Sequence, residues 1–359
     1  MCGVALLWFL LAGMLLSLWG CSSPEETVAT TEHPRQVVTS VPSTIAETEP
    51  AALEGSLYLK VSSITFSLVG ESEDVYLGLI PRELVTWESD NPSIVSVENG
   101  VLTANGVGST IIHATYYDRQ VSCTAQCLAQ TQAELDSLDA EILSSPKRLP
   151  PDVDLNETCT YFDNAAIFGD SITYFLWQFE SQNDYLGNLQ FVTRQGISVM
   201  GLALRYKNMY FKGREAYIED IAAQCGAKRV YLMLGCLDFQ FPAGRDTLMD
   251  NWTTILDRIQ EKCPDTEIVI ISAIPSFTRE ITPSETNNFI AESNIQLKQL
   301  ATEKGCGFWD LSYYIEDHYE RMPELYSKDE YHMNDEGSLV WIKIMRYYAQ
   351  FEHEGGTLS

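Results

Sequence analysis

The chain has 359 residues, is 45% hydrophobic, and sets 23 Lys and Arg against 50 Asp and Glu, a formal net charge of -27. This length allows one or two globular domains with linkers, and the apolar fraction is enough for a true core. The acidic balance disfavours nucleic acid and anionic lipid as ligands and reads as the solvated surface of an exported protein.

The first twenty residues carry no charged side chain. Val4 to Trp19 is almost continuously apolar, which is short for a spanning helix and right for a signal h-region. Residues 1–20 are therefore expected to be a signal peptide. The segment closes on Leu18-Trp19-Gly20-Cys21, which resembles a lipobox. That resemblance implies a lipidated Cys21 as mature N-terminus and a membrane contact through the lipid anchor. An uncleaved anchor and plain secretion are the alternatives, and all three put the rest of the chain outside the cytoplasm. Of the nine cysteines, seven remain after Cys2 and Cys21 are set aside, an odd number. Their spacing resembles neither a disulfide framework nor a zinc site, and a strand through Cys123 and Cys127 would hold them about 13 Å apart. Structural thiols are expected. Residues 21–54 are rich in Ser, Thr, Pro, Glu and Ala without a hydrophobic period, the composition of a disordered stalk.

From 55 to 128 apolar and polar residues alternate in short runs: Ile64, Phe66 and Leu68; Val75, Leu77 and Leu79; Val85 and Trp87; Val95 and Val97. Turn signals such as Val69-Gly70-Glu71 and Asn99-Gly100 separate them. A small antiparallel sandwich is predicted, with Trp87 in its core. The run Val85-Thr86-Trp87-Glu88-Ser89-Asp90-Asn91-Pro92, followed by Val101-Leu102-Thr103-Ala104-Asn105-Gly106-Val107-Gly108, resembles the bacterial Ig-like domain of group 2. The resemblance implies a surface module, a spacer or an adhesive one in contact with the cell wall. Residues 129–160 read as a linker: helix-like from Gln132 to Leu143, then broken between Pro146 and Pro151.

Between 161 and 352 strand-like and helical runs alternate. Strands are predicted near 165–169, 189–193, 229–234, 267–272 and 307–309, and helices near 172–182, 214–225, 246–262, 285–304 and 334–351. Val230-Tyr231-Leu232-Met233-Leu234 and Ile268-Val269-Ile270-Ile271 are continuous apolar runs, as strands covered on both faces require. The fold class is α/β, a doubly wound parallel sheet with a small N-terminal all-β sandwich, and a site is expected at the carboxyl ends of the strands.

The run Ala166-Ile167-Phe168-Gly169-Asp170-Ser171-Ile172-Thr173 ends a strand at Gly-Asp and puts Ser171 where a helix begins. A hydroxyl there, over its own N–H at a helix N-terminus, suits a nucleophile whose product is an oxyanion. Of five histidines, His332 lies in Asp329-Glu330-Tyr331-His332, just ahead of the final helix. A loop histidine there can reach over the sheet edge to Ser171, with Asp329 fixing its tautomer. His318 has no partner at such spacing, and Asp170 and Asp238 read as turn and strand-end residues.

An early Gly-Asp-Ser with a late Asp-x-x-His resembles the SGNH (GDSL-type) hydrolases, from about residue 160 to the end. The resemblance implies a flavodoxin-like sheet and a triad of Ser171, His332 and Asp329. It also implies three oxyanion donors: the N–H of Ser171, the N–H of Gly196 in Arg194-Gln195-Gly196-Ile197, and an asparagine side chain in a Gly-x-Asn-Asp block. That block reads Gly235-Cys236-Leu237-Asp238, so Leu237 stands where the asparagine is usual. Losing one such donor typically costs about 10²–10³ in rate. Gln195 and Gln240 are the candidate substitutes. No residue cluster has metal-ligand spacing and no glycine-rich loop suits a phosphate, so no cofactor or metal is expected. The resemblance implies a cell-surface serine esterase acting on O-acyl, above all acetyl, esters of a small molecule or glycan. The alternatives are acyl transfer by the same triad and a non-catalytic binding or adhesion protein.

Overall fold

Alternating side chains between glycine-bearing turns build the first half. This computed structural model describes residues 57, 59–279 and 284–353. The chain divides into Met1–Leu53 and Glu54–Ser359, and the expected signal peptide, Cys21 and stalk lie outside the described residues. The first strands are β1 (Ser63–Leu68), β2 (Ser72–Asp74), β3 (Thr86–Ser89), β4 (Val95–Glu98), β5 (Val101–Ala104), β6 (Gly108–Tyr116) and β7 (Arg119–Ala129). Two short helices follow, α1 (Gln132–Leu135) and α2 (Ala140–Leu143), then β8 (Arg148–Leu149). One sheet runs β3-β6-β7-β1-β8 and the other β2-β5-β4. Asn99 and Gly100, at φ 49° and 78°, form the two-residue turn joining β4 to β5.

The predicted alternation is visible in burial: Ile64, Phe66, Ile112, Ala114, Cys123, Ala125 and Cys127 all face the core. Cys123 and Cys127 are unpaired thiols there. The stretch from Val75 to Leu79 is no strand. Val75 and Leu77 still drop into the core, held by a Val75 N–H bond to the Gly100 carbonyl (2.8 Å) and a bridge from Leu77 to Leu59. Part of the expected linker joins a sheet, because β8 pairs with the free edge of β1.

The second half alternates strand and helix. In chain order it contains β9 (Ala165–Gly169), α3 (Ser171–Asn183), β10 (Gln190–Thr193), α4 (Val199–Ala203), β11 (Met209–Phe211), β12 (Arg214–Ala216), α5 (Ile218–Cys225), β13 (Arg229–Met233), α6 (Cys236–Gln240), α7 (Leu248–Lys262), β14 (Glu267–Ile271), α8 (Glu285–Lys304), β15 (Gly307–Trp309), α9 (Ser312–Ile315) and α10 (Asp335–His353). Five strands form one parallel sheet in the order β10-β9-β13-β14-β15. Alternate strand residues point to opposite faces. Ile167, Tyr231, Met233, Val269 and Ile271 pack with Leu176 of α3 and Trp341, Ile344 and Met345 of α10. Ala166, Phe168, Val230, Leu232, Ile268 and Ile270 pack with α5, α7 and α8. This is the doubly wound α/β architecture expected for the apolar runs. The helix predicted from 214 begins only at Ile218, because Lys212 and Gly213, at φ 50° and 78°, turn the chain into the β11–β12 hairpin.

A charged cluster joins the two halves. The Arg148 guanidinium donates to Glu316 (2.8 Å) and Glu73 (3.2 Å) and stacks on Tyr313, whose hydroxyl donates to Glu73 at 2.7 Å. Lys60 lies 3.9 Å above the same ring. His318 bonds Ser67 across this junction, and burial with Lys147 and Arg148 nearby pushes the ring down to about 4, so it is neutral there. No helix of the described residues is long and apolar enough to cross a membrane.

Helix α3 is latched at its far end by Glu180. This buried carboxylate accepts from the Leu186 N–H, while its Oε2 has no partner. Burial pushes the carboxyl up to about 7, against the pull of the Leu186 N–H. An acid raised above its unfolded value adds stability that is complete below that value and lost as pH rises through the folded one. Glu180→Gln keeps the acceptor and loses the titration. Urea unfolding between pH 5 and 8 is expected to give a flatter stability profile for the variant, which is the more stable protein at pH 8.

Candidate active site

The nucleophile candidate sits where β9 turns into α3. A Cβ at Gly169 would collide with the Thr173 side chain and lie 2.9 Å from the Met233 carbonyl, so only glycine lets the strand end this close to β13 and α3. Asp170 then caps α3, its Oδ1 accepting from the Ile172 N–H at 3.0 Å. Ser171 is the first helical residue, and a first-turn N–H has no partner within its own helix. The helix dipole favours negative charge at the same point.

The structure brings Ser171, His332 and Asp329 together. Ser171 Oγ is 2.8 Å from His332 Nε2, and His332 Nδ1 is 2.9 Å from both oxygens of Asp329. A carboxylate only accepts, so Nδ1 carries the proton and Nε2 is left to accept from the Ser171 hydroxyl. Asp329 also accepts from the backbone N–H of Tyr331 and of His332. Burial acts to raise its carboxyl, but these bonds and the adjacent imidazole outweigh it and hold the group below the ordinary carboxylate value. Asn334 anchors the loop. Its Oδ1 accepts from the Gly337 N–H at 3.0 Å, and its Nδ2 donates to the Leu325 and Ser327 carbonyls. The imidazole packs edge-on against Phe175 of α3, with ring centroids 4.8 Å apart, and Lys328 Nζ covers the same phenyl ring at 3.7 Å.

Gly196 lies in the turn after β10 at φ 67°, where a Cβ would meet nothing within 4 Å, so its backbone borders open space. Lys207 Nζ donates to its carbonyl at 2.6 Å. The following helix α4 is fastened by Asp238, which accepts from the Val199 N–H (2.7 Å) and the Met200 N–H (3.1 Å). Asp238 belongs to α6, and α6 is tied to the nucleophile by a Cys236 N–H bond to Asp170 Oδ2 at 2.9 Å. Burial pushes the Asp170 carboxyl up to about 6, opposed by its N–H bonds to Ile172 and Cys236. Asp170 and Asp238 thus do more than end a turn and a strand. They lace the loops after β9, β10 and β13 into one assembly.

Leu237, on α6, is partly exposed and offers no donor. Gln195 is exposed, whereas Gln240 Nε2 donates to Cys236 Sγ at 3.3 Å. Sequence reasoning missed Cys236, a buried thiol at the start of α6 whose N–H is held by Asp170, the residue before Ser171. Its position between Gly235 and Asp238 was the available signal. His318 stands at the junction of the two halves, away from this site. Among the described residues no group of three or more His, Cys, Asp or Glu could hold a metal ion. In Asp170→Asn, one of the two N–H groups loses its acceptor and faces an NH₂. The variant is expected to be less stable by about 1–3 kcal/mol in urea unfolding at pH 7.

Residues 167–339 match the model of the GDSL-like lipase/acylhydrolase family, a span that includes Ser171, Asp329 and His332. No curated protein matches the chain. Among solved structures, the chain is similar to a GDSL-like lipase from Bacteroides thetaiotaomicron VPI-5482, at 12% identity over 52% of this chain and 86% of that one, TM-score 0.40. It is also similar to an acetyl xylan esterase, at 16% identity over 51% and 98%, TM-score 0.38. A third is a carbohydrate esterase family 3 protein from Talaromyces cellulolyticus, at 14% identity over 51% and 94%, TM-score 0.37. The match over residues 167–339 supports a GDSL-like acylhydrolase domain there, and the protein is an ester hydrolase.

Proposed function

We propose that this protein is a cell-surface serine esterase that removes O-acyl groups, acetyl above all, from carbohydrate. The observation that carries the reading is the unbroken chain from Asp329 through His332 to Ser171 at the start of α3, with spacings of 2.9 and 2.8 Å. His332 Nε2 takes the hydroxyl proton as Ser171 Oγ bonds to the ester carbonyl carbon. The carbonyl electron pair moves to oxygen, where the N–H groups of Ser171 and Gly196 hold the oxyanion. The oxyanion collapses, the C–O bond to the sugar breaks, and the leaving oxygen takes the proton from His332. Water then gives a proton to His332, adds to the acyl-enzyme and releases the carboxylic acid as Oγ regains its proton. Asp329 holds the imidazole in the required tautomer and stabilises the imidazolium.

A groove of about 540 Å³ beside His332 supports the carbohydrate reading. Phe175 and Phe179 supply aromatic surface, and Gln178, Gln182 and Lys328 supply donors for hydroxyl groups. The lipobox-like segment supports a lipid anchor at Cys21 on the outer face of the membrane. The Ig-like resemblance of 55–128 supports a spacer or wall-binding module between that anchor and the hydrolase domain.

Ser171→Ala is expected to lower hydrolysis of p-nitrophenyl acetate by the full chain by at least about 10³-fold. Equal rates in parent and variant defeat the reading. Acetate release from O-acetylated xylan or O-acetylated peptidoglycan identifies the glycan. Cys21→Ser is expected to move the protein from the membrane fraction to the soluble fraction of cells expressing it.

A further inference from the structure

An ester carbonyl that becomes an oxyanion at Ser171 needs donors aimed at that oxygen. The backbone offers two, at Ser171 and Gly196. The neighbouring N–H groups are engaged: that of Cys236 donates to Asp170, and those of Val199 and Met200 donate to Asp238. A side chain can supply a third donor. Helix α6 begins beside the nucleophile, and of its residues Cys236, Asp238 and Phe239 are buried while Leu237 and Gln240 are partly exposed. Residues three apart share a helix face. The open face of α6 therefore carries one side chain without a polar atom and one carboxamide.

That carboxamide folds back toward the start of α6. Gln240 Nε2 donates to Cys236 Sγ at 3.3 Å, and the N–H of Cys236 is bonded to Asp170, the residue before Ser171, at 2.9 Å. Sulfur is a weak acceptor, so the amide gives up little by leaving it. An oxyanion binds an N–H far more strongly.

We infer that Gln240 is the third oxyanion donor, its Nε2 turning from Cys236 Sγ to the substrate oxygen as Ser171 adds to the carbonyl. The proposal rests on the esterase reading above. It gives α6 a donor one turn later than Leu237, on a side chain one methylene longer than asparagine. Cys236 parks the amide in the empty site.

The test uses the full chain and two readouts: kcat and KM on p-nitrophenyl acetate, and the rate at which a p-nitrophenyl phosphonate ester labels Ser171. The phosphonate adduct is tetrahedral and puts its phosphoryl oxygen where the oxyanion sits. Gln240→Ala is expected to lower kcat and the labelling rate by about 10²–10³-fold with KM within about threefold. The near-isosteric Gln240→Glu lowers both as well, and keeps the test open should the alanine variant not fold. Leu237→Asn alone raises kcat by less than about threefold, because its role is already filled. Parent-like kcat and labelling in both Gln240 variants, or a gain of about tenfold or more from Leu237→Asn, overturns the assignment. If the parent is labelled but hydrolyses nothing, the labelling ratio alone decides. A parent that neither hydrolyses nor is labelled overturns the esterase reading, and the assignment with it.

Discussion

The buried carboxylate of Asp170 is the constraint on which the site depends. One oxygen accepts from the turn that presents Ser171 and the other from the start of α6. The carboxyl ends of parallel strands leave N–H groups that must find acceptors inside the protein. Asp170 meets that need at β9 and β13, and Asp238 meets it at α4 beyond β10. Burial works against both carboxylates and raises them. The N–H bonds they accept oppose that effect, and the same bonds fix where Ser171 and Gly196 present their backbones.

The base arrives by a different physical route. Asp329 is half-exposed, and the loop that carries it is held by local bonds, by a Phe277 N–H bond to the Glu330 carbonyl and by the burial of Tyr326 and Met333. Asn334 bonds to the Leu325 and Ser327 carbonyls, Ser327 bridges Met333, and Phe175 supports the ring. Ser171 and Gly196 therefore lie just past the ends of β9 and β10, while the imidazole reaches Ser171 from the loop before α10. This division suits acyl transfer, because charge development needs preorganised donors. The base needs only a correct tautomer and a short reach.

Much of this architecture was legible in the sequence. The central strands β13 and β14 were marked by continuous apolar runs, because a strand covered on both faces has no polar side to show. Ser171, Asp329 and His332 were marked by motif spacing. The β11–β12 hairpin was missed because Lys212-Gly213 turns on backbone conformation, which helical periodicity between 214 and 225 hides. β8 was missed because a two-residue strand has no period; it exists only because β1 presents a free edge. Cys236 read as an ordinary thiol because nothing in its neighbours reveals that α6 starts against Ser171.

By itself the sequence determined local matters: which runs are strands, where α3 must start, and which residue types could serve as nucleophile, base and orienting acid. It also established that Leu237 cannot donate. Only the tertiary structure decided that Ser171 and His332, 161 residues apart, meet at 2.8 Å. It alone made Asp170 and Asp238 ties between loops and turned the Gln240 amide onto Cys236. Such contacts depend on the distance and angle between elements, which the packing of α3, α6 and α10 on the sheet fixes and no local pattern encodes.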